Sequence, residues 1–192
     1  MTSKTILELT KTVNDESLYQ LSENHTVLLV FLRHFGCIFC KEAMNDIAKK
    51  RSYWEKLNVK TVFVHMAEKN RAEEFFAEFG LKGVDHISDP NCMVYKNFGL
   101  SKGGPSQLFG LKGMLRGFEV AVKHPSYLGG AQIGDGLQMP GVFLICDGQI
   151  VDSYIHRNAS DRPNYDEIIS NLNGINCFFN FCFRTKHFYF IK

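Results

Sequence analysis

Positions 26–32 read TVLLVFL, a continuous apolar and β-branched run that predicts a short strand covered on both faces. A second run, VKTVFVH at 59–65, predicts another strand, and a short extended piece is expected at 86–88. Between them the period changes. Ile6, Leu7, Leu9, Val13, Leu18 and Leu21 predict an amphipathic helix over 5–22, and Ala43, Ile47, Ala48 and Trp54 mark one face of a helix over 39–54. A further helix over 70–79 is closed by Gly80 as its C′ residue. Asp89 and Pro90 are expected to open a helix ending near Gly99, with the proline at the first helical position. Late in the chain, 142–146 and 150–154 read as strands joined by Asp147-Gly148-Gln149, a hairpin signal, and Asp161 and Pro163 start a final helix running to 172.

Early strands that alternate with helices imply parallel pairing, and the late hairpin adds an antiparallel edge. The expected fold class is therefore α/β with a central mixed sheet and a C-terminal antiparallel hairpin. Glycines interrupt residues 100–139, which are expected to be an irregular insertion with one helix over about 111–122; long insertions of this kind are usually functional or mobile. One domain is expected over 1–172. The remainder, 173–192, is an aromatic-rich tail with no clean period.

Composition narrows the function classes. The chain has 192 residues, 45% hydrophobic and 22% charged, as expected of a single globular domain with its own core. A net charge of +2 is too small to predict nucleic-acid binding. Met1-Thr2-Ser3-Lys4 is not followed by a long apolar run, so no signal peptide is expected, nor a transmembrane segment. A reducing cytoplasm is the expected compartment. There, a Cys-x-x-Cys pair reads as catalytic or metal-binding rather than as a staple.

The chain holds six cysteines, and Cys37-Ile38-Phe39-Cys40 stands where a buried strand turns into a helix. The first cysteine then meets the unsatisfied N–H groups and positive dipole end of the helix, which stabilise a thiolate. Cys40, one turn later, is placed to resolve whatever forms on Cys37. Both are candidate catalytic residues. The competing reading is a binding module without turnover, holding a metal through Cys37, Cys40 and ligands from the tail such as Cys177, Cys182 and His187. His34 is a candidate imidazolium or base beside Cys37. Arg33 is either charge support for the thiolate or a surface partner for a carboxylate. Arg116 reads as a solvated helix position, Cys92 as a small semi-buried residue, and Cys146 as core filler. Phe35 and Phe39 flank the motif, either as a docking surface or as core.

VFLRHFGCIFC at 30–40 resembles the peroxiredoxin-like branch of the thioredoxin superfamily, and more narrowly the AhpC/TSA-type antioxidant proteins related to selenoprotein U. Ser88-Asp89-Pro90, YKNFG at 95–99, QMPGVFLI at 138–145 and HRNASDRPNY at 156–165 are similar to the same group in the same order. The resemblance spans about 20–172. It implies a thioredoxin-like three-layer α/β/α fold and a thiol–disulfide redox enzyme that reduces a peroxide or a disulfide. Thioredoxin or glutathione would be its electron donor, and no cofactor is expected. It further implies a cis bond before Pro140 and a substrate-binding set of Pro140, Met139, Arg33 and Gly36 around the dithiol. Two departures stand out. Ile38 and Phe39 replace the proline-containing spacer of thioredoxins. His34 and Val30 stand where true peroxiredoxins carry a threonine and a proline. Arg33, Arg116 and Arg157 are the candidate cations for the site.

Overall fold

The structure, a computed structural model, describes residues 2–171. Strands β1 (Thr26–Phe31), β2 (Val59–His65), β3 (Asp85–Ser88), β4 (Gly141–Cys146) and β5 (Gln149–Ile155) form one sheet in the order β3-β2-β1-β4-β5. β1, β2 and β3 are parallel; β4 is antiparallel to β1, and β5 to β4. β1 is thus the point where the sheet changes sense.

The apolar runs of β1, β2 and β4 feed two cores, because successive side chains leave a strand on opposite faces. Leu28, Val30, Phe63, Val142 and Leu144 face one layer, formed by α3 (Ile38–Lys56), α4 (Lys69–Glu78) and α8 (Tyr165–Ser170) through Met44, Ile47, Trp54, Phe76 and Ile168. Val27, Leu29, Phe31, Val62 and Val64 face the other, formed by α1 (Ser3–Leu9), α2 (Leu18–Asn24) and α5 (Met93–Asn97) through Leu7, Leu18, Leu21 and Tyr95. This is the expected three-layer α/β/α arrangement. Trp54, fully buried, donates its indole N–H to Asp166 at 2.9 Å and so ties α3 to α8.

Several elements depart from expectation in their bounds. The helix expected over 5–22 is two helices. Thr10 turns its hydroxyl back on the Ile6 carbonyl, Asp15 adopts a left-handed φ of 65°, and Ser17 with Gln20 forms a capping box that starts α2 anew. Pro90 is not the first residue of α5: the Asp89 carboxylate reaches forward to the N–H groups of Met93, Val94 and Tyr95, so the helix begins at Met93. Asn164, not Asp161, caps α8. Asp147 and Gly148, at φ 48° and 70°, make the hairpin turn between β4 and β5. The insertion carries two helices, α6 (Pro105–Phe109) and α7 (Leu111–Lys123), then a 3-10 turn at Pro125–Tyr127. The aromatic tail lies outside the described residues.

Candidate active site

The site lies just beyond β1, where the sheet changes sense. Leu32 still donates to the Val64 carbonyl at 2.9 Å, and the Tyr95 hydroxyl donates to the carbonyls of both Leu32 and Val64, which pins the two strand ends. The chain then turns through 33–36, with the Cys37 N–H on the His34 carbonyl at 3.0 Å. Cys37 is the N-cap of α3, and the backbone N–H groups of Phe39 and Cys40 point at its sulfur. Cys37 and Cys40 are both free and both buried, 5% and 4% exposed.

Their acidities are driven apart. Cys37 is pulled down to about 6, chiefly by the hydrogen bond that Cys40 donates to its sulfur and also by the Arg33 guanidinium, against the opposing effect of burial. Cys40 is pushed well above an ordinary thiol, first because it supplies that hydrogen bond and then because it is buried. Arg33 serves both sulfurs. Its Nη1 donates to Cys37 Sγ at 3.6 Å and its backbone N–H donates to Cys40 Sγ at 3.2 Å. This arrangement can hold one thiolate and one thiol side by side, the state a nucleophile–resolver pair requires.

A strap from the insertion covers the pair. Arg33 Nη2 donates to the Gly136 carbonyl at 2.6 Å. Lys41, buried in the first turn of α3, donates to the carbonyls of Tyr127 and Gly129 at 3.1 and 2.7 Å. Gly36 lies so close to this strap that a Cβ there would sit 3.0 Å from the Ala131 carbonyl oxygen. On the far side of the motif, Phe39, Cys40, Pro140, His156 and Tyr165 line a cavity of about 30 Å³, room for about one water.

The other expected site residues fall as follows. Pro140 lines that cavity beside Cys40. Its peptide bond to Met139 is trans, which overturns the expected cis bond. Trans is the form most X–Pro bonds adopt, and here the Met139 N–H bonds the Ser101 carbonyl while the Met139 carbonyl accepts from Gln138 Nε2. Met139 is buried with Leu108, Ala159 and Phe39. His34 is half-buried with Nδ1 unpaired, and burial together with the Arg33 charge lowers it to about 4. It is therefore neutral near pH 7, which removes its imidazolium role. Arg116 is not a solvated position: Nη2 donates to both carboxylate oxygens of Glu42, at 2.6 and 2.8 Å. Arg157 is exposed and uses its backbone on Asp161 and Gln107. Of the three candidate cations, Arg33 reaches the thiols. Phe35 is core, stacked on Phe75, while Phe39 packs beside Met139 and Gly117. Cys92 Sγ contacts Met66 Sδ at 3.2 Å, and Cys146 is buried in β4. Cys177, Cys182 and His187, the tail ligands of the metal reading, lie outside the described residues; among the described residues no three His, Cys, Asp or Glu side chains are grouped as a metal would need.

Lys41 was not legible beforehand. A lysine in a first helical turn reads as solvated, and its partners are backbone carbonyls, which leave no mark in sequence.

The AhpC/TSA family profile matches residues 5–153. The chain is 26% identical to bovine "Peroxiredoxin-like 2C" over 161 residues, 78% of this chain and 69% of that protein. It is 24% identical to "Thioredoxin-like protein AAED1, chloroplastic" of Arabidopsis thaliana over 164 residues, 81% of this chain and 65% of that protein. The chain thus spans about two thirds of the length of these curated relatives. Peroxiredoxin Q of Xanthomonas campestris superposes with a TM-score of 0.62 at 15% identity, covering 89% of this chain and 93% of that one, which shows a shared fold. Among the described residues no helix is long and apolar enough to cross a membrane. With the family profile running from the first helix through the dithiol to β5, the chain belongs to the AhpC/TSA family, as a peroxiredoxin-like member of the thioredoxin superfamily.

Proposed function

We propose that the protein is a thiol-dependent oxidoreductase in which Cys37 attacks and Cys40 resolves. The observation that carries this reading is the geometry of the pair: Cys37 stands at the N-cap of α3 with the Arg33 guanidinium 3.6 Å from its sulfur, and Cys40 follows within the first turn with its sulfur accepting the Arg33 backbone N–H at 3.2 Å. With a peroxide, the Cys37 thiolate attacks the O–O bond. One oxygen stays on sulfur as a sulfenic acid and the other leaves as an alcohol or water after taking a proton. The Cys40 thiol then attacks Cys37, releasing water and forming the Cys37–Cys40 disulfide. With a disulfide substrate the first product is a mixed disulfide, and Cys40 expels the second substrate thiol. Two external thiols, from thioredoxin or from glutathione, return the electrons in a reducing compartment such as the cytoplasm.

The strap over Cys37 and the small cavity beside Cys40 favour a small oxidant over a folded protein disulfide. Arg33 and the Gly36 backbone would border the oxidant at Cys37, and Pro140 with Met139 would border it at Cys40. Peroxide consumption and low-molecular-weight disulfide reduction, followed side by side with thioredoxin or glutathione as donor, test the reading. The expected result is donor-dependent turnover of at least one substrate that is abolished in Cys37→Ser. Turnover that survives in Cys37→Ser would remove the proposed nucleophile.

A further inference from the structure

Tyr95, which opens the YKNFG segment, meets the dithiol through a single peptide group. Its hydroxyl donates to the Leu32 carbonyl at 2.5 Å and reaches the Val64 carbonyl at 3.1 Å, so the phenolic proton has Leu32 as its nearer acceptor. The carbonyl of Leu32 and the N–H of Arg33 belong to the same planar peptide. That N–H donates to Cys40 Sγ at 3.2 Å. Phenol, peptide and sulfur therefore form one hydrogen-bonded chain.

Tyr95 is fixed where it stands. The side chain is fully buried, its ring meets Phe31 edge-on at 5.0 Å, and its own N–H is on the Asp89 carboxylate. A phenylalanine would fill the same apolar layer. The hydroxyl adds a donor on the peptide oxygen, and a donor there strengthens the N–H at the other end of the peptide.

Resolution is the step that needs this. Cys40 is raised first by the hydrogen bond it gives Cys37, then by burial, then by the Cys37 charge. Oxidation of Cys37 takes away its negative charge, and with it the first and third of these causes. Burial remains, opposed by the main-chain N–H groups of Arg33 and His34. As Cys40 attacks, its proton leaves with the departing hydroxide as water, or with the substrate thiolate as a thiol. Negative charge gathers on Sγ before the S–S bond closes.

We propose that Tyr95 is a positioning residue for the resolving cysteine: its hydroxyl orients and polarises the Leu32–Arg33 peptide, whose N–H then stabilises the Cys40 thiolate. The attack of Cys40 on Cys37 rests on the dithiol reading above; the effect of Tyr95 on the acidity of Cys40 does not.

The pH profile of Cys40 alkylation by iodoacetamide, located by peptide mass spectrometry, tests it in Cys37→Ser and in Cys37→Ser/Tyr95→Phe. The expected result is a profile displaced upward by about half a unit in the double variant, about a threefold loss of thiolate at a given lower pH. With Cys37 in place, Tyr95→Phe slows closure of the Cys37–Cys40 disulfide about threefold at neutral pH, and the first oxidation of Cys37 changes less. The other groups facing Cys40 and its cavity, Arg33, Glu42, His156, Asp161, Arg162 and Tyr165, are the same in both proteins. Cys37→Ser/Phe98→Leu is the control for loosening: it thins the ring cluster on Phe31, where Tyr95 also packs, and leaves the hydroxyl. An unmoved profile in the Tyr95→Phe protein, or an equal displacement by Phe98→Leu, would overturn the proposal. A displaced profile beside an unsubstituted chain that closes no disulfide would uphold the role of Tyr95 in Cys40 acidity and strike the dithiol reading.

Discussion

The guanidinium of Arg33 stands 3.6 Å from the sulfur of Cys37, held there by its second nitrogen on the Gly136 carbonyl at 2.6 Å. One buried cation thus joins the thiolate to the strap above it. Replacing it acts on both. In Arg33→Met the Cys37 acidity moves up from about 6, and alkylation by a small iodoacetamide probe at neutral pH slows by roughly tenfold. The pH profile of alkylation reads the shift directly. An unmoved profile would mean that Arg33 does not support the thiolate.

The strap sets access to Cys37. Gly36→Ala introduces a methyl 3.0 Å from the Ala131 carbonyl oxygen, and because the contact is to backbone the strap must move away. The expected outcome is faster modification of Cys37 by a bulky maleimide, with the rate for a small probe changed less. Lys41→Met releases the Tyr127 and Gly129 carbonyls and should act in the same direction. Equal acceleration for large and small probes would point to general loosening instead.

Acid should destabilise the fold before carboxylates matter. His65 is lowered to about 3 and His34 and His156 to about 4, in each case chiefly by burial, so the folded state favours neutral imidazoles. The unfolded chain binds these protons near pH ~6.5. The stability is therefore complete above that pH and is lost progressively as pH falls from ~6.5 toward the folded values. Urea midpoints measured between about pH 7.5 and about pH 5 should decline steadily. A flat profile would contradict the burial of these rings as neutral groups.

Asp89 is the cap on α5, accepting from three N–H groups at 2.9, 2.7 and 3.2 Å while 5% exposed. Asp89→Ala should lower stability by about 2 kcal/mol, read from urea denaturation with an unchanged m-value. A loss within experimental scatter would mean that the start of α5 is held by its packing on Phe31 through Tyr95.

The core of the fold was readable, and the covering of the site was not. The apolar run at 59–65 matches β2 at both ends, because a buried parallel strand is written as an unbroken β-branched segment. The dithiol's place at a helix start was likewise legible from the run that precedes it. The break at Thr10 was not, since Ile6 to Leu21 keeps a helical period across a turn that depends on one hydroxyl and one left-handed aspartate. The strap was invisible for a different reason. Lys41 and Arg33 bind main-chain oxygens 86 to 103 residues away, and any residue can supply a carbonyl.

The central claim, that Cys37 is the attacking sulfur, is tested most directly by trapping the first intermediate. Reduced Cys40→Ser and Cys37→Ser proteins are mixed with one equivalent of hydrogen peroxide, or of a small disulfide, and the modified cysteine is located by peptide mass spectrometry. The account predicts a sulfenic acid or mixed disulfide on Cys37 in Cys40→Ser, and no comparable adduct in Cys37→Ser. An adduct forming on Cys40 in Cys37→Ser at an undiminished rate would contradict it.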